Sequence, residues 1–323
     1  MKRAGINVIA GFDTDEKAGR IYSINNKASK FFKRDIRDLK GSEILKLFEA
    51  YTGKRILAGC APCQPFSRIN RDGGRGHKNY ELLNEFSRLI IETLPDGVIM
   101  ENVSGLASDG KSVFNRFLDA LKSVGLNATY DDKMDAASYG VPQHRKRLVL
   151  IASRAKPSLP VKTHGLRTGR PYVNVRDKIG NLPPIEAGHR DNSKFNHSCK
   201  ALSPLNLIRI ITTPHDGGSR TDLPAELWIK SHKDHKGHGD TYGRMKWDSP
   251  APTLTCRCIT ISNGRFAHPE QDRGISVREA ALLQTFRKKY IFPSNLQDAQ
   301  RCIGNAVPPL LAEKVAKQLL KSI

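Results

Sequence analysis

Arg55-Ile56-Leu57-Ala58-Gly59 runs straight into Cys60-Ala61-Pro62-Cys63-Gln64-Pro65-Phe66-Ser67, and the reading of this stretch decides the fold. A short apolar run that ends in a loop is the pattern of a buried strand. Downstream, Tyr80 to Thr93 has helical spacing, with Leu83, Phe86, Ile90 and Ile91 on one face. Gly97-Val98-Ile99-Met100 is another strand, ending at Glu101-Asn102-Val103, and an amphipathic helix from Val113 to Val124 precedes a strand at Leu148-Val149-Leu150-Ile151-Ala152. Upstream, Ile6 to Phe12 is an apolar run ending in acidic Asp13 and Asp15, followed by a polar helix from Glu16 to Asn26. Short apolar strands alternating with helices predict an α/β fold with a doubly wound, mostly parallel sheet. Such sheets carry their chemistry at the carboxyl ends of the strands, where Asp13, Cys63 and Glu101 all fall.

After about residue 155 the texture changes. From there to about residue 265 the chain is rich in Gly, Pro, His, Lys and Arg with few long periodic segments, the pattern of a smaller, loop-rich domain. Helical periodicity returns at Val277 to Gln284, and a closing helix starts at Pro309 and continues through Leu311, Val315 and Leu319. The expected division is 1–158, 159–265 and a C-terminal segment, 266–323, that returns to the first domain.

Lys and Arg outnumber Asp and Glu 53 to 32, a formal net charge of +21 with a pI near 9.9. A surface this basic repels itself unless a polyanion shares it, so a nucleic acid is the expected partner; charge does not separate DNA from RNA. No run of about eighteen apolar residues appears and the first residues lack a secretory h-region, so no membrane association is expected and an intracellular protein is. Six cysteines in 323 residues do not make a disulfide scaffold and point to a reducing compartment. Cys60 and Cys63 have C-x-x-C spacing, but Cys256-Arg257-Cys258 is too tight to be the second half of a zinc knuckle, and no metal is expected. His232, His235 and His238 read as solvated loop residues beside Gly237 and Gly239.

Cys63 ends a strand and enters a loop carrying Arg68, Arg71, Arg75 and Lys78, electropositive surroundings that favour the reactive thiolate. Glu101 ends the neighbouring strand. Alone, the first is as readily an inert buried thiol and the second a helix cap; facing one crevice, they make a nucleophile and an acid.

Four segments stand in order: Pro62-Cys63-Gln64, Glu101-Asn102-Val103, Tyr139-Gly140-Val141-Pro142-Gln143-His144-Arg145-Lys146-Arg147, and Gly304-Asn305-Ala306-Val307-Pro308. Together with Tyr242-Gly243-Arg244-Met245, Pro250 to Thr255 and Arg278 to Phe286, they resemble the motif series of the bacterial, restriction–modification type cytosine-5 DNA methyltransferases, over essentially the whole chain. The resemblance implies the S-adenosylmethionine-dependent methyltransferase fold, S-adenosyl-L-methionine as cofactor, and transfer of methyl to C5 of a flipped cytosine in double-stranded DNA through a covalent adduct of Cys63 with C6. It assigns Glu101 to the base edge and Arg145 and Arg147 to the ring and the catalytic loop, with Arg145 nearest the base carbonyl. The stretch Ser67 to Lys78, with Gly73, Gly74 and Gly76, resembles the family's mobile loop that closes over the base, and Gln64, Ser67 and Arg68 are candidate DNA-binding residues. Asp13 is assigned to the cofactor ribose, with Asp15 able to trade roles with it, Asp35 to the adenine amino group and Asn305 to the same pocket.

The 159–265 segment occupies the place of the family's target-recognition domain. Arg220, Arg244 and Arg257, with Lys194, Lys230, Lys233 and Lys236, are the candidate DNA contacts. A cytoplasmic, nucleoid-associated monomer is expected, with a cognate restriction endonuclease acting separately. Met1 to Gly5 matches the end of the helix that follows the family's first strand and F-x-G-x-G-G loop, so that strand and loop are expected to be missing and cofactor binding to be weak. Two other readings stay open: a DNA-binding remnant without activity, and a tRNA cytosine methyltransferase, against which the basic insert between Arg147 and Tyr242 speaks.

Overall fold

The computed structural model describes residues 1–60, 81–108, 111–193, 195–229 and 239–323, and the chain divides into two units. Unit 1 comprises Met1–Asp135, Lys146–Lys162 and Leu310–Ile323; unit 2 comprises Ala136–Arg145 and Thr163–Pro309. Residues 266–309 therefore cluster with unit 2, and only the last residues return to unit 1.

In unit 1, strands and helices alternate: β1 (Ala10–Asp13), α1 (Glu16–Asn25), β2 (Lys30–Lys33), α2 (Gly41–Phe48), β3 (Ile56–Gly59), α3 (Leu82–Thr93), β4 (Gly97–Asn102), α4 (Gly105–Ser108), α5 (Lys111–Ser123), β5 (Asn127–Asp135) and β6 (Lys146–Ser153). β3 pairs parallel to β4, while β6 lies antiparallel between β4 and β5. The α/β reading holds, with β6 the one reversed strand of the β3-β4-β6-β5 sheet. Val98, Met100, Leu148, Leu150 and Ala152 from the sheet pack against Leu83, Phe86 and Ile90 of α3 and Phe114, Phe117 and Leu121 of α5. Ile91, expected on that face, is instead 48% exposed, and Leu89 packs with Leu39 and Ile44. At Gly59, the last residue of β3, a Cβ would meet the Phe86 ring at 2.7 Å.

β1 and β2 form a separate parallel pair. β1 is shorter than the apolar run from Ile6 predicts, because only Ala10 to Asp13 find partners on β2. Among the described residues no ladder joins β1 to β3. A cleft of about 730 Å³ is lined by residues of both strands, including Ala10, Phe12, Ile56 and Leu57, and by Ile6 and Val8.

Unit 2 is built of short elements: α6 (Arg176–Ile179), a two-strand hairpin of β7 (Arg190–Asp191) and β8 (His197–Ser198), α7 (Pro204–Thr212), α8 (Val277–Leu283) and α9 (Leu296–Asn305). Its core gathers Met245, Trp247, Leu254, Ile275, Ala280, Leu283 and Ile303. Ser276 caps α8, accepting from the Glu279 amide, while the Glu279 carboxylate accepts from the Ser276 amide. That carboxylate is 1% exposed and takes two 2.8 Å bonds from the guanidinium of Arg273, itself fully buried.

Burial alone would raise the pKa of Glu279; the bidentate bonds and charge of Arg273 outweigh it and bring the value to about 2. His268 is pushed the other way from its usual range, down to about 4, by burial. Its Nδ1 accepts from the amides of Glu270 and Gln271, which fixes the neutral tautomer. In both cases the unfolded chain takes up the proton first, so stability falls as pH falls. The His268 contribution is lost between pH 6.5 and about 4, the Glu279 contribution between pH 4.5 and about 2. Thermal unfolding followed by tryptophan fluorescence should show a melting temperature that declines steadily from pH 6.5 to 4, with His268 alone removing about 3 kcal/mol. A flat profile over that range is the contrary result.

Candidate active site

Sheet register assembles the candidate centre. Gly59 of β3 pairs with Met100 of β4, so the next residues, Cys60 and Glu101, stand side by side at the strand ends. On the other side of β4, Glu101 pairs with Val149 of β6, and Arg147 lies two residues earlier on that strand. Alternation along a strand therefore puts Arg147 and Glu101 on one face as diagonal neighbours. The side chains meet accordingly. The Cys60 thiol donates to Glu101 Oε2 at 2.9 Å, and Arg147 Nε stands 3.3 Å from Oε1. Glu101 is only 7% exposed, so its carboxylate is an anion withdrawn from water, balanced by one guanidinium and one thiol donor. Such a group can bind the amino and ring N–H edge of a planar heterocycle, or hold a proton there.

Two carboxylates border the cleft. Asp13 ends β1 and Asp35 follows β2 by two residues, so both stand at the carboxyl ends of parallel strands, and both line the cleft. Asp13 Oδ1 accepts from the Asp15 amide, and Asp35 Oδ1 from the Arg37 amide. Asp15 has a different job: its side chain accepts from the Ala18 amide and caps α1. Asp13 lines the cleft, whereas Asp15 is not among its lining residues. An apolar slot of this volume with carboxylates at its rim fits a nucleoside, whose hydroxyl and amino groups are donors.

Unit 2 binds the other motif segments to one another. Gln143 is fully buried; its Nε2 donates to Gln284 Oε1 and its Oε1 accepts from the Leu254 amide, both at 2.8 Å. Gln284 in turn donates to the carbonyls of Ile303 and Ala306. Arg145, 3% exposed, donates to the carbonyls of Leu254 and Gly304. Gly304 is needed because a Cβ there would lie 2.2 Å from the Thr255 backbone. Asn305, at the end of α9, is exposed and accepts from the Cys256 thiol at 2.8 Å.

Several sequence expectations are corrected here. Arg145, expected nearest a base carbonyl, turns into the interior and holds main-chain carbonyls; Arg147 is the arginine beside Glu101. Arg244, expected on DNA, is fully buried. It donates to the carbonyls of Ile210, Thr213, His268 and Gln271 and pairs with Asp272. Arg220 is 7% exposed and lines a small cavity with Leu223, Trp228 and Tyr242, so it too faces inward. Arg257 is exposed. Cys63, Gln64, Ser67, Arg68, Lys194, Lys230, Lys233, Lys236 and the three loop histidines lie outside the described residues. Cys60, Gln143 and Gln284 were missed as contributors; the only signal for Cys60 was the strand register, which a sequence does not print.

The chain is similar to known proteins over nearly its whole length. The description "C-5 cytosine-specific DNA methylase" matches residues 1–321. The Type II methylase M.HgiDII of Herpetosiphon aurantiacus is 40% identical over 322 residues, 98% of this chain and 89% of that protein. The Type II methyltransferase M1.HphI of Haemophilus parahaemolyticus is 29% identical over 99% of this chain and 82% of its own length. A crystal structure of a putative DNA modification methyltransferase encoded within a prophage of E. coli superposes with a TM-score of 0.75 at 22% identity, covering 99% of this chain and 94% of that one, and shows the same fold.

The corrected placement of Arg244 has a direct consequence. Arg244→Ala leaves the carbonyls of Ile210, Thr213, His268 and Gln271 without this donor, a loss of about 3–5 kcal/mol, whereas Arg257→Ala on the exposed loop changes stability by less than about 0.5 kcal/mol. Urea titrations of the two variants check this; equal midpoints run against it.

Proposed function

Since the chain belongs to the C-5 cytosine-specific DNA methylase family, we propose that it transfers a methyl group from S-adenosylmethionine to C5 of a cytosine flipped out of duplex DNA. The observation that carries this reading is Glu101, desolvated at the end of β4 between the Cys60 thiol and the Arg147 guanidinium.

Cytosine C5 is too weak a nucleophile to be methylated directly, and C6 is hidden in the stack until the base is everted, at a cost of a few kcal/mol. The thiolate of Cys63 adds to C6: a sulfur–carbon bond forms and the C5–C6 π pair moves toward C5, with charge spreading to N3 and O2. Cys63 takes this role from the Pro62-Cys63-Gln64 motif and the family. Glu101 accepts from the 4-amino group and holds a proton against N3, which drains the developing charge. Arg147 keeps Glu101 in place and offers its guanidinium to the carbonyl at C2. Asp13 and Asp35 would hold the ribose hydroxyls and adenine amino group of S-adenosylmethionine, with Asn305 assigned to the same pocket by family resemblance. When bound, that cofactor supplies an electrophilic methyl group. Transfer of the C5 proton to a solvent water then returns the C5–H electron pair to the ring, breaks the sulfur–C6 bond and frees the thiolate.

The 159–265 segment is read as the target-recognition part, with Arg257 as a phosphate contact, and Gln64, Ser67 and Arg68 as residues that meet the everted base and its phosphates. By the same family resemblance the protein is read as cytoplasmic, with a cognate restriction endonuclease acting separately; two of its relatives are named Type II methylase or methyltransferase.

Transfer of tritiated methyl groups from S-adenosylmethionine to duplex DNA tests the reading. Cys63→Ser should abolish both transfer and covalent trapping on 5-fluorocytosine DNA, and Glu101→Gln should slow transfer about 100-fold. Trapping that survives in Cys63→Ser, or methyl transfer to tRNA in preference to DNA, sinks it. Arg257→Ala should lower DNA affinity and reduce the salt slope of binding by about one.

A further inference from the structure

We infer that Cys60 is a positioning residue for Glu101: its thiol hydrogen fixes one carboxylate oxygen so that the other is presented to the base, an inference that rests on the reading of Glu101 as the group that recognises cytosine.

The terminal torsion of a glutamate is broad and nearly two-fold, so a carboxylate needs a fixed partner to define which way its plane faces. Here the partner is Cys60. Sheet register brings it opposite Glu101, and its Sγ lies 2.9 Å from Oε2. Oε1 is buried and accepts no hydrogen bond among the described residues; Arg147 supplies charge at 3.3 Å without the geometry of a hydrogen bond. One oxygen is therefore held and the other left to accept. A thiolate at this spot would face a carboxylate at contact distance, so the proton stays on sulfur and the thiol acts as donor. The side chain must also be small. Cys60 lines the same cleft as Asp13, and a longer donor would enter it. Alanine or glycine would fit but donate nothing; only cysteine or serine meets both demands. In this reading Cys60 does not touch the reacting atoms and acts through Glu101.

Two measurements on the full chain test this. In methyl transfer to duplex DNA, Cys60→Ala should lower kcat about tenfold when Glu101 is present and less than twofold in the Glu101→Gln background, while Cys60→Ser recovers to within about threefold of the parent. A loss of equal size in both backgrounds means a structural role and overturns the proposal. Independently of activity, alkylation of Cys60 by iodoacetamide, followed by peptide mass spectrometry, should run at least threefold faster in Glu101→Gln, where the carboxylate no longer disfavours the thiolate. Equal alkylation rates overturn the contact itself. If Glu101→Gln transfers methyl groups as fast as the parent, the base-recognition reading of Glu101 fails, and the alkylation rates still decide whether thiol and carboxylate are coupled.

Discussion

The buried amide of Gln143 is the constraint from which much of unit 2 follows. A fully desolvated carboxamide needs partners for its N–H and its oxygen, and here it donates to Gln284 and accepts from Leu254. Gln284 passes the demand on to Ile303 and Ala306, and Arg145 closes it on Leu254 and Gly304. Residues up to 159 positions apart in the chain are thereby tied at hydrogen-bond tolerance. Hydrophobic contact alone accepts many packings of similar volume, whereas a polar network in a low-dielectric interior accepts one.

In unit 1 the determining device is register. A parallel ladder between β3 and β4 and an antiparallel one between β4 and β6 bring Cys60, Glu101 and Arg147 to one place. Glu101 and Arg147 lie on strands, and Cys60 follows the last residue of β3. A buried carboxylate with a single cation would ordinarily be an expensive arrangement. Its place at the end of β4, hydrogen-bonded to Cys60, which lines the cleft, is what the proposed role of Glu101 rests on.

The basic composition is distributed in a way that net charge conceals. Arg145, Arg244, Arg273 and Arg278 are buried and hold carbonyls or carboxylates of the chain itself. Guanidinium suits this task because its planar fork of five donors satisfies several acceptors at once. Counting arginines therefore overstates the surface offered to a polyanion, and it is why Arg244 and Arg220 read from sequence as contacts while the fold turns them inward.

The sequence by itself determined the alternation of strands and helices, since apolar runs such as Val98 to Met100 and Leu148 to Ala152 cannot remain in water and their spacing names their geometry. It also determined the ordered motif series, and with it Glu101 and the family. The β2 and β5 strands escaped it because Lys30-Phe31-Phe32-Lys33 has only two apolar residues and β5 is polar along most of its length. Only the tertiary structure decided which arginine stands beside Glu101, which aspartate faces the cleft and which caps a helix, and that Cys60 has a partner at all. These are outcomes of register and burial. They depend on which residues from distant parts of the chain arrive opposite one another, a quantity that local spacing along a sequence does not contain.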